Sequence, residues 1–101
     1  VYHLYKGGSP LDGLPLVGKP AVEIFHVNDY PRIDPATIVD ADRVHIGDGI
    51  APVKSILSTI RNPDRPVVIS FEVFNKTYYA HDPLVVAKTA YKKMKTITAG
   101  L

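Results

Sequence analysis

The sequence predicts an α/β fold in which parallel strands are joined by helical crossovers, and three observations predict it. Two runs, about 21–27 and 66–74, are rich in β-branched and aromatic residues and have strand character. Between them Val53, Ile56, Leu57 and Ile60 recur at helical spacing, and a second helical pattern follows the later run. Strand, helix, strand and helix in that order bring the strands parallel, because each crossover returns the chain to the same end of the sheet.

The first residues, Val1-Tyr2-His3-Leu4-Tyr5, read as the end of a strand turned into a loop by Lys6-Gly7-Gly8-Ser9-Pro10. Residues 11–20 are rich in Gly, Pro and Leu and suit a loop with one helical turn, Leu11, Leu14 and Val17 pointing inward. In the 21–27 strand, alternation puts Val22, Ile24 and His26 on one face and Ala21, Glu23, Phe25 and Val27 on the other. Residues 30–50 read as a long loop with at most one helical turn, and loops of that length are often functional. Pro52 suits the first turn of the next helix, which stops before Asn62-Pro63-Asp64. In the 66–74 strand Val68, Ser70 and Glu72 share a face, and Val67, Ile69, Phe71 and Val73 the other. The last helix opens with Asp82 as cap and Pro83 at its first position; Leu84, Ala87, Tyr91, Met94 and Ile97 form its expected apolar stripe.

Composition narrows the function classes. With 101 residues the chain is at most one small domain. Its 46% hydrophobic and 22% charged residues are ordinary for a globular protein. A net charge of +2, with Lys88, Lys92, Lys93 and Lys95 gathered on one helix, describes a solvated helix face and not a nucleic-acid groove. No cysteine is present, so disulfides and thiolate metal sites are excluded. No apolar run reaches a membrane span, and a cytoplasmic location is the default expectation.

Glu72 carries the most chemistry. The chain has two glutamates, and this one lies inside an apolar run where a charge is costly unless a cation, a hydrogen-bond network or a metal compensates it. His26, a metal-ligand type, ends the other run. Both stand near the C-terminal ends of their strands, where parallel α/β folds build their chemistry. Each has a plain structural alternative: His26 as a core histidine bonded to backbone, Glu72 as a carboxylate paired with Arg43. Arg43 is either a substrate clamp or an ion-pair partner of Asp40 or Asp42. Asp29 either serves the site or caps the turn with Tyr30-Pro31. Asp40-Ala41-Asp42 does not begin an EF-hand, since His45 and Ala51 stand where that loop needs Gly and Glu. Asn75-Lys76-Thr77 fits a glycosylation triplet, a pattern common by chance.

Three stretches, Phe25-His26-Val27-Asn28-Asp29, Arg43 to Gly49, and Ser70-Phe71-Glu72-Val73-Phe74-Asn75, carry a resemblance that spans nearly the whole chain. In order and strand placement they resemble the C-terminal part of the xylose-isomerase-like TIM barrels, the sugar and sugar-phosphate isomerases and epimerases, and within them the inosose isomerase-like branch. The resemblance implies the last two to three βα units of a (β/α)₈ barrel, helices outside, in one segment covering residues 1–101. It implies that His26 and Glu72 ligate one divalent metal (Mn, Zn, Co or Mg), that Glu72 is also the catalytic acid/base, and that His3 and Arg43 bind substrate; Asp29, three residues beyond His26, is a further substrate-binding candidate by its position. Two of that family's four metal ligands would precede Val1, so the 101 residues alone are expected to be inactive. They are also expected to need the rest of a barrel, or another copy of themselves, for stability. The implied partner is a small sugar or cyclitol, with neither nucleic acid nor membrane. A sugar-binding module without turnover is an alternative reading. A metal-dependent endonuclease on the same barrel is another, but it predicts more histidines and a basic surface.

Overall fold

A computed structural model describes all 101 residues. Helix α1 (Tyr2–Lys6) leads, then strand β1 (Ile24–Val27), helix α2 (Val53–Ile60), strand β2 (Val68–Phe71), helix α3 (Lys76–Tyr79) and helix α4 (Pro83–Thr98). Single 3₁₀ turns at Leu11–Leu16, Lys19–Ala21 and Asp40–Asp42 punctuate the connections.

β1 and β2 pair in parallel, with Ile24 opposite Val68, His26 opposite Ser70 and Val27 opposite Phe71. One further bond extends the ladder at each end: Val68 N–H to the Glu23 carbonyl at 2.9 Å and Glu72 N–H to the Val27 carbonyl at 3.0 Å. Both strands are shorter than expected. Residues 19–21 coil into a 3₁₀ turn, and Asn62 and Arg65 bridge each other in a turn just before β2, so residues 21–23 find no parallel partner beyond that one bond.

The opening residues correct the sequence reading: they form a helix, not the end of a strand. Val and Tyr favour strands only where a sheet receives them, and tertiary packing decides here. Tyr2 is buried and its N–H donates to Asn28 Oδ1 at 3.0 Å, while the Tyr5 ring stacks on Tyr30 at 4.1 Å.

Val53, Ile56, Leu57 and Ile60 of α2 are all buried, as their spacing predicts, although Pro52 caps the helix and does not enter it. They meet Val27, Ile38, Ile46 and Tyr30 in one core. Much of that core therefore comes from the 28–52 loop, which two backbone bonds between Asp29 and Val44 (3.0 and 2.9 Å) fold back on itself. In the 11–17 stretch only Leu14 packs inward; Leu11 and Val17 stay exposed. Helix α4 starts as expected, with the Asp82 carboxylate accepting the N–H groups of Leu84 and Val85. Its stripe is rotated. Met94 and Ile97 reach the core, but Ala90 and Val86 turn inward while Leu84, Ala87 and Tyr91 face outward. No element of the chain covers that flank.

The sheet is covered on one side only. Val27 is buried and Phe25 and Ile69 half-buried against the helices, whereas Ile24 and Val68 are 58% and 59% exposed on the opposite face. This bare face is the one that carries His26.

Candidate functional site

By register, His26 and Glu72 share the bare face at the C-terminal end of the sheet. His26 stands opposite Ser70, and Glu72 lies two residues further along the same side. Its backbone carbonyl accepts from Asn28 Nδ2 at 3.2 Å. The expectation of a dry carboxylate inside a strand is corrected. Glu72 lies one residue past β2 and its side chain is 35% exposed, since nothing in the chain closes over that face.

Arg43 answers the charge. Its Nη1 donates to Glu72 Oε2 at 2.9 Å, and Nη2 pairs with Asp40 Oδ1. Nη2 also lies 3.2 Å from His3 Nε2. The guanidinium sits 4.4 Å from the Tyr2 ring and 5.0 Å from the Phe74 ring, and the side chain is 2% exposed. Local sequence directs it there. Asp42 accepts the Val39 N–H and tightens the 40–42 turn, the Asp29–Val44 bridge holds the next residue, and Asn75 Nδ2 binds the Arg43 carbonyl at 3.0 Å. Of the two sequence readings of Arg43, the pairing with Asp40 is present, running from a buried guanidinium to a carboxylate that is 61% exposed. Burial, reinforced by the Asp40 carboxylate, pushes the Tyr2 phenol above its ordinary value. That phenol donates to the Ile38 carbonyl.

His3, Arg43 and Glu72 are thus brought together, with His3 arriving from a helix. Asp29 is not with them, which corrects its assignment to substrate binding. It is buried, and its carboxylate accepts three backbone N–H groups: Tyr30 and Ala51 on Oδ1 at 2.8 Å each, and Gly47 on Oδ2 at 2.9 Å. Those bonds consume its oxygens in shaping the loop.

Two features escaped the sequence reading. Asn75 caps α3, its side chain accepting from Thr77 and Tyr78 N–H, and this use fits the triplet better than glycosylation does. His45 is buried between the Phe71 ring (5.0 Å) and the Tyr78 ring (4.4 Å), with Nδ1 lacking any partner. Loss of hydration lowers its pKa, and nearby Lys93 adds to this while Asp48 opposes it. Nothing local in the sequence signals that stack, because its rings come from distant segments.

As a metal donor set, His26 and Glu72 offer an imidazole nitrogen and a carboxylate oxygen, the mixed chemistry of Mn, Zn, Co or Mg sites. By register the two share a face, but nowhere do three or more His, Asp or Glu side chains gather closely enough to hold an ion. No helix is long and apolar enough to cross a membrane.

No protein-family model matches the chain. An inosose isomerase of Bacillus licheniformis is 30% identical over 78 residues, covering 77% of this chain and 28% of that enzyme. The inosose isomerase of Bacillus subtilis is 26% identical over 91 residues, covering 90% and 33%. The crystal structure of the IOLI protein, described with a bound zinc atom, superposes with a TM-score of 0.84 at 25% identity, over 97% of this chain and 35% of that one. The chain thus spans about a third of the length of the curated relatives it matches. It is similar to the inosose isomerases of the xylose-isomerase-like barrel family, and its parallel strands with outer helices are part of a TIM barrel.

Proposed function

We propose that this chain is the C-terminal part of a divalent-metal sugar or cyclitol isomerase or epimerase, completed by further barrel strands or by another copy of itself. The observation that carries the reading is the placement of His26 and Glu72 on one uncovered face, at the C-terminal end of adjacent parallel strands. That is where TIM barrels hold their reacting groups. The similarity to inosose isomerases makes a cyclitol the favoured substrate class.

In this reading His26 and Glu72 would hold the metal through a ring nitrogen and a carboxylate oxygen, and a divalent cation held there would supply Lewis-acid polarisation of a substrate carbonyl. Glu72 takes and returns the proton on the carbon beside that carbonyl. His3, exposed at the mouth of the Arg43 cluster, is placed to meet a substrate hydroxyl. Further strands closing the barrel would pack against Ile24 and Val68, which are exposed here.

The test uses the complete barrel containing this segment. Interconversion of keto-inositols, and of aldose–ketose pairs, is followed before and after chelation and again with Mn²⁺ restored. Turnover lost on chelation and regained with Mn²⁺ is expected. Sugar binding without turnover in any metal would leave a binding module.

A further inference from the structure

We infer that Arg43 is a positioning residue for Glu72, not a substrate clamp, and that it fixes which carboxylate oxygen Glu72 presents to the site. The inference deepens the proposed function and rests on its reading of Glu72. A clamp must turn its donors toward a ligand, and this guanidinium is closed inside the fold, with both terminal nitrogens turned to protein partners. Nη1 is spent on Glu72 Oε2 and Nη2 on Asp40, with His3 alongside. Tyr2 and Phe74 cover it, and only 2% of the side chain meets solvent. Nε is buried with no acceptor at all. An unmade bond of that kind is costly, so the orientation of the fork is set by its carboxylate partners and not by saturation of its own donors.

The consequence falls on Glu72. Its Oε2 is tethered to a group that is itself immobilised by two rings, a second carboxylate and, through its carbonyl, Asn75. A freely rotating glutamate presents either oxygen; this one holds Oε2 back and leaves Oε1 for the bare face. Asp40, 61% exposed, is the second anchor and holds the other terminal nitrogen, Nη2. Lysine cannot reproduce the arrangement. An ammonium is a point charge without a planar fork, and it neither stacks flat between rings nor spans two carboxylates with fixed geometry.

Arg43→Lys and Asp40→Asn in the complete barrel test this by two readouts. In metal-free crystals the wild-type Glu72 carboxylate should occupy one conformer, and in Arg43→Lys it should be displaced or split. A Glu72 that does not move overturns the inference, whether or not the protein proves to be an isomerase. Calorimetric titration with Mn²⁺ should show affinity falling about 10- to 100-fold in Arg43→Lys, the range for groups that orient metal ligands, with kcat falling alongside and KM within about twofold. Unchanged Mn²⁺ affinity with a raised KM would make Arg43 a clamp after all. Should the lysine variant fail to fold, Asp40→Asn, altered at an exposed carboxylate, decides. A loss of Mn²⁺ affinity of about threefold or more is expected there, and none overturns the inference. A wild-type protein with an ordered Glu72 but no Mn²⁺ binding sinks the isomerase reading while leaving the tether in place.

Discussion

Gly49 lies so close to Asp29 that a β-carbon on it would stand 2.4 Å from the Asp29 Oδ1 and 2.2 Å from the Tyr30 carbonyl oxygen. Backbone cannot yield as a flexible side chain does. Asp29 Oδ1 already accepts the Tyr30 and Ala51 N–H groups, so the loop is wound around one buried carboxylate.

Gly49→Ala should therefore destabilise the protein by about 2–3 kcal/mol, the upper range for overpacking. Asp29→Asn should cost about 1–3 kcal/mol, because its amide turns a donor toward backbone N–H groups and leaves one unpaired. Urea unfolding of the complete barrel measures both. Changes under about 0.5 kcal/mol would mean that the loop is not clamped at this point.

Glu72→Gln separates proton transfer from binding. The amide oxygen can still coordinate, but the side chain no longer accepts a proton as a carboxylate does. Turnover is expected to fall by at least about 100-fold, the low end for a lost acid/base, while Mn²⁺ affinity declines only in part. Near-normal kcat would remove Glu72 from the chemistry.

His45 sets a pH dependence of stability. Its folded pKa lies below the ordinary 6.5, chiefly through lost hydration, so the unfolded chain binds the proton more readily than the folded one. Its stabilising contribution is complete above about pH 6.5 and is lost as pH falls below that value toward the folded pKa. Asp48 and Lys93, the charges nearest it, pull in opposite senses. His45→Phe should keep the stack on Phe71 and Tyr78 and flatten the stability profile between pH 7 and pH 5. Parallel profiles for the two proteins would assign the acid sensitivity elsewhere.

What was legible in the sequence was whatever depends on neighbours along the chain. The periodicity of Val53, Ile56, Leu57 and Ile60 and the Asp82-Pro83 start of α4 are local signals, and both describe the observed helices. The phase that puts His26 and Glu72 on one face is local too, because alternation alone fixes it. What failed was whatever depends on contacts between distant segments. Val1–Tyr5 looked like a strand, but Asn28 and Tyr30 receive it as a helix. Leu84 and Tyr91 looked inward-facing, but α4 meets the core through Val86 and Ala90. Asp29 read as substrate-binding or as a cap of the Tyr30-Pro31 turn; the cap is what forms, and nothing local shows Gly47 and Ala51 returning to the same carboxylate. The pairing of Glu72 with Arg43 was open to the sequence as a plain carboxylate–arginine pair, whereas His3 joining them from a third segment was suggested only by the resemblance.

The uncovered face makes the last prediction. Ile24 and Val68 stand side by side across the sheet with more than half their surface in water, flanking His26 and Ser70. Two paired strands with bare outer edges are a weak unit, and apolar side chains left in water contribute nothing to hold them. If further strands close the barrel, these side chains become lumen packing, and Ile24→Ala should cost about 2–5 kcal/mol, as large-to-small changes do in a core. If the chain works as it stands, the same change is a surface substitution worth under about 0.5 kcal/mol. Residues 1–101 alone should lose their circular dichroism gradually in urea and bind Mn²⁺ only weakly, while the complete barrel unfolds in one sharp step. A sharp transition from monomeric 1–101, with Ile24→Ala near neutral and tight Mn²⁺ binding, would show that the two-stranded unit is self-sufficient and that its bare face belongs in water.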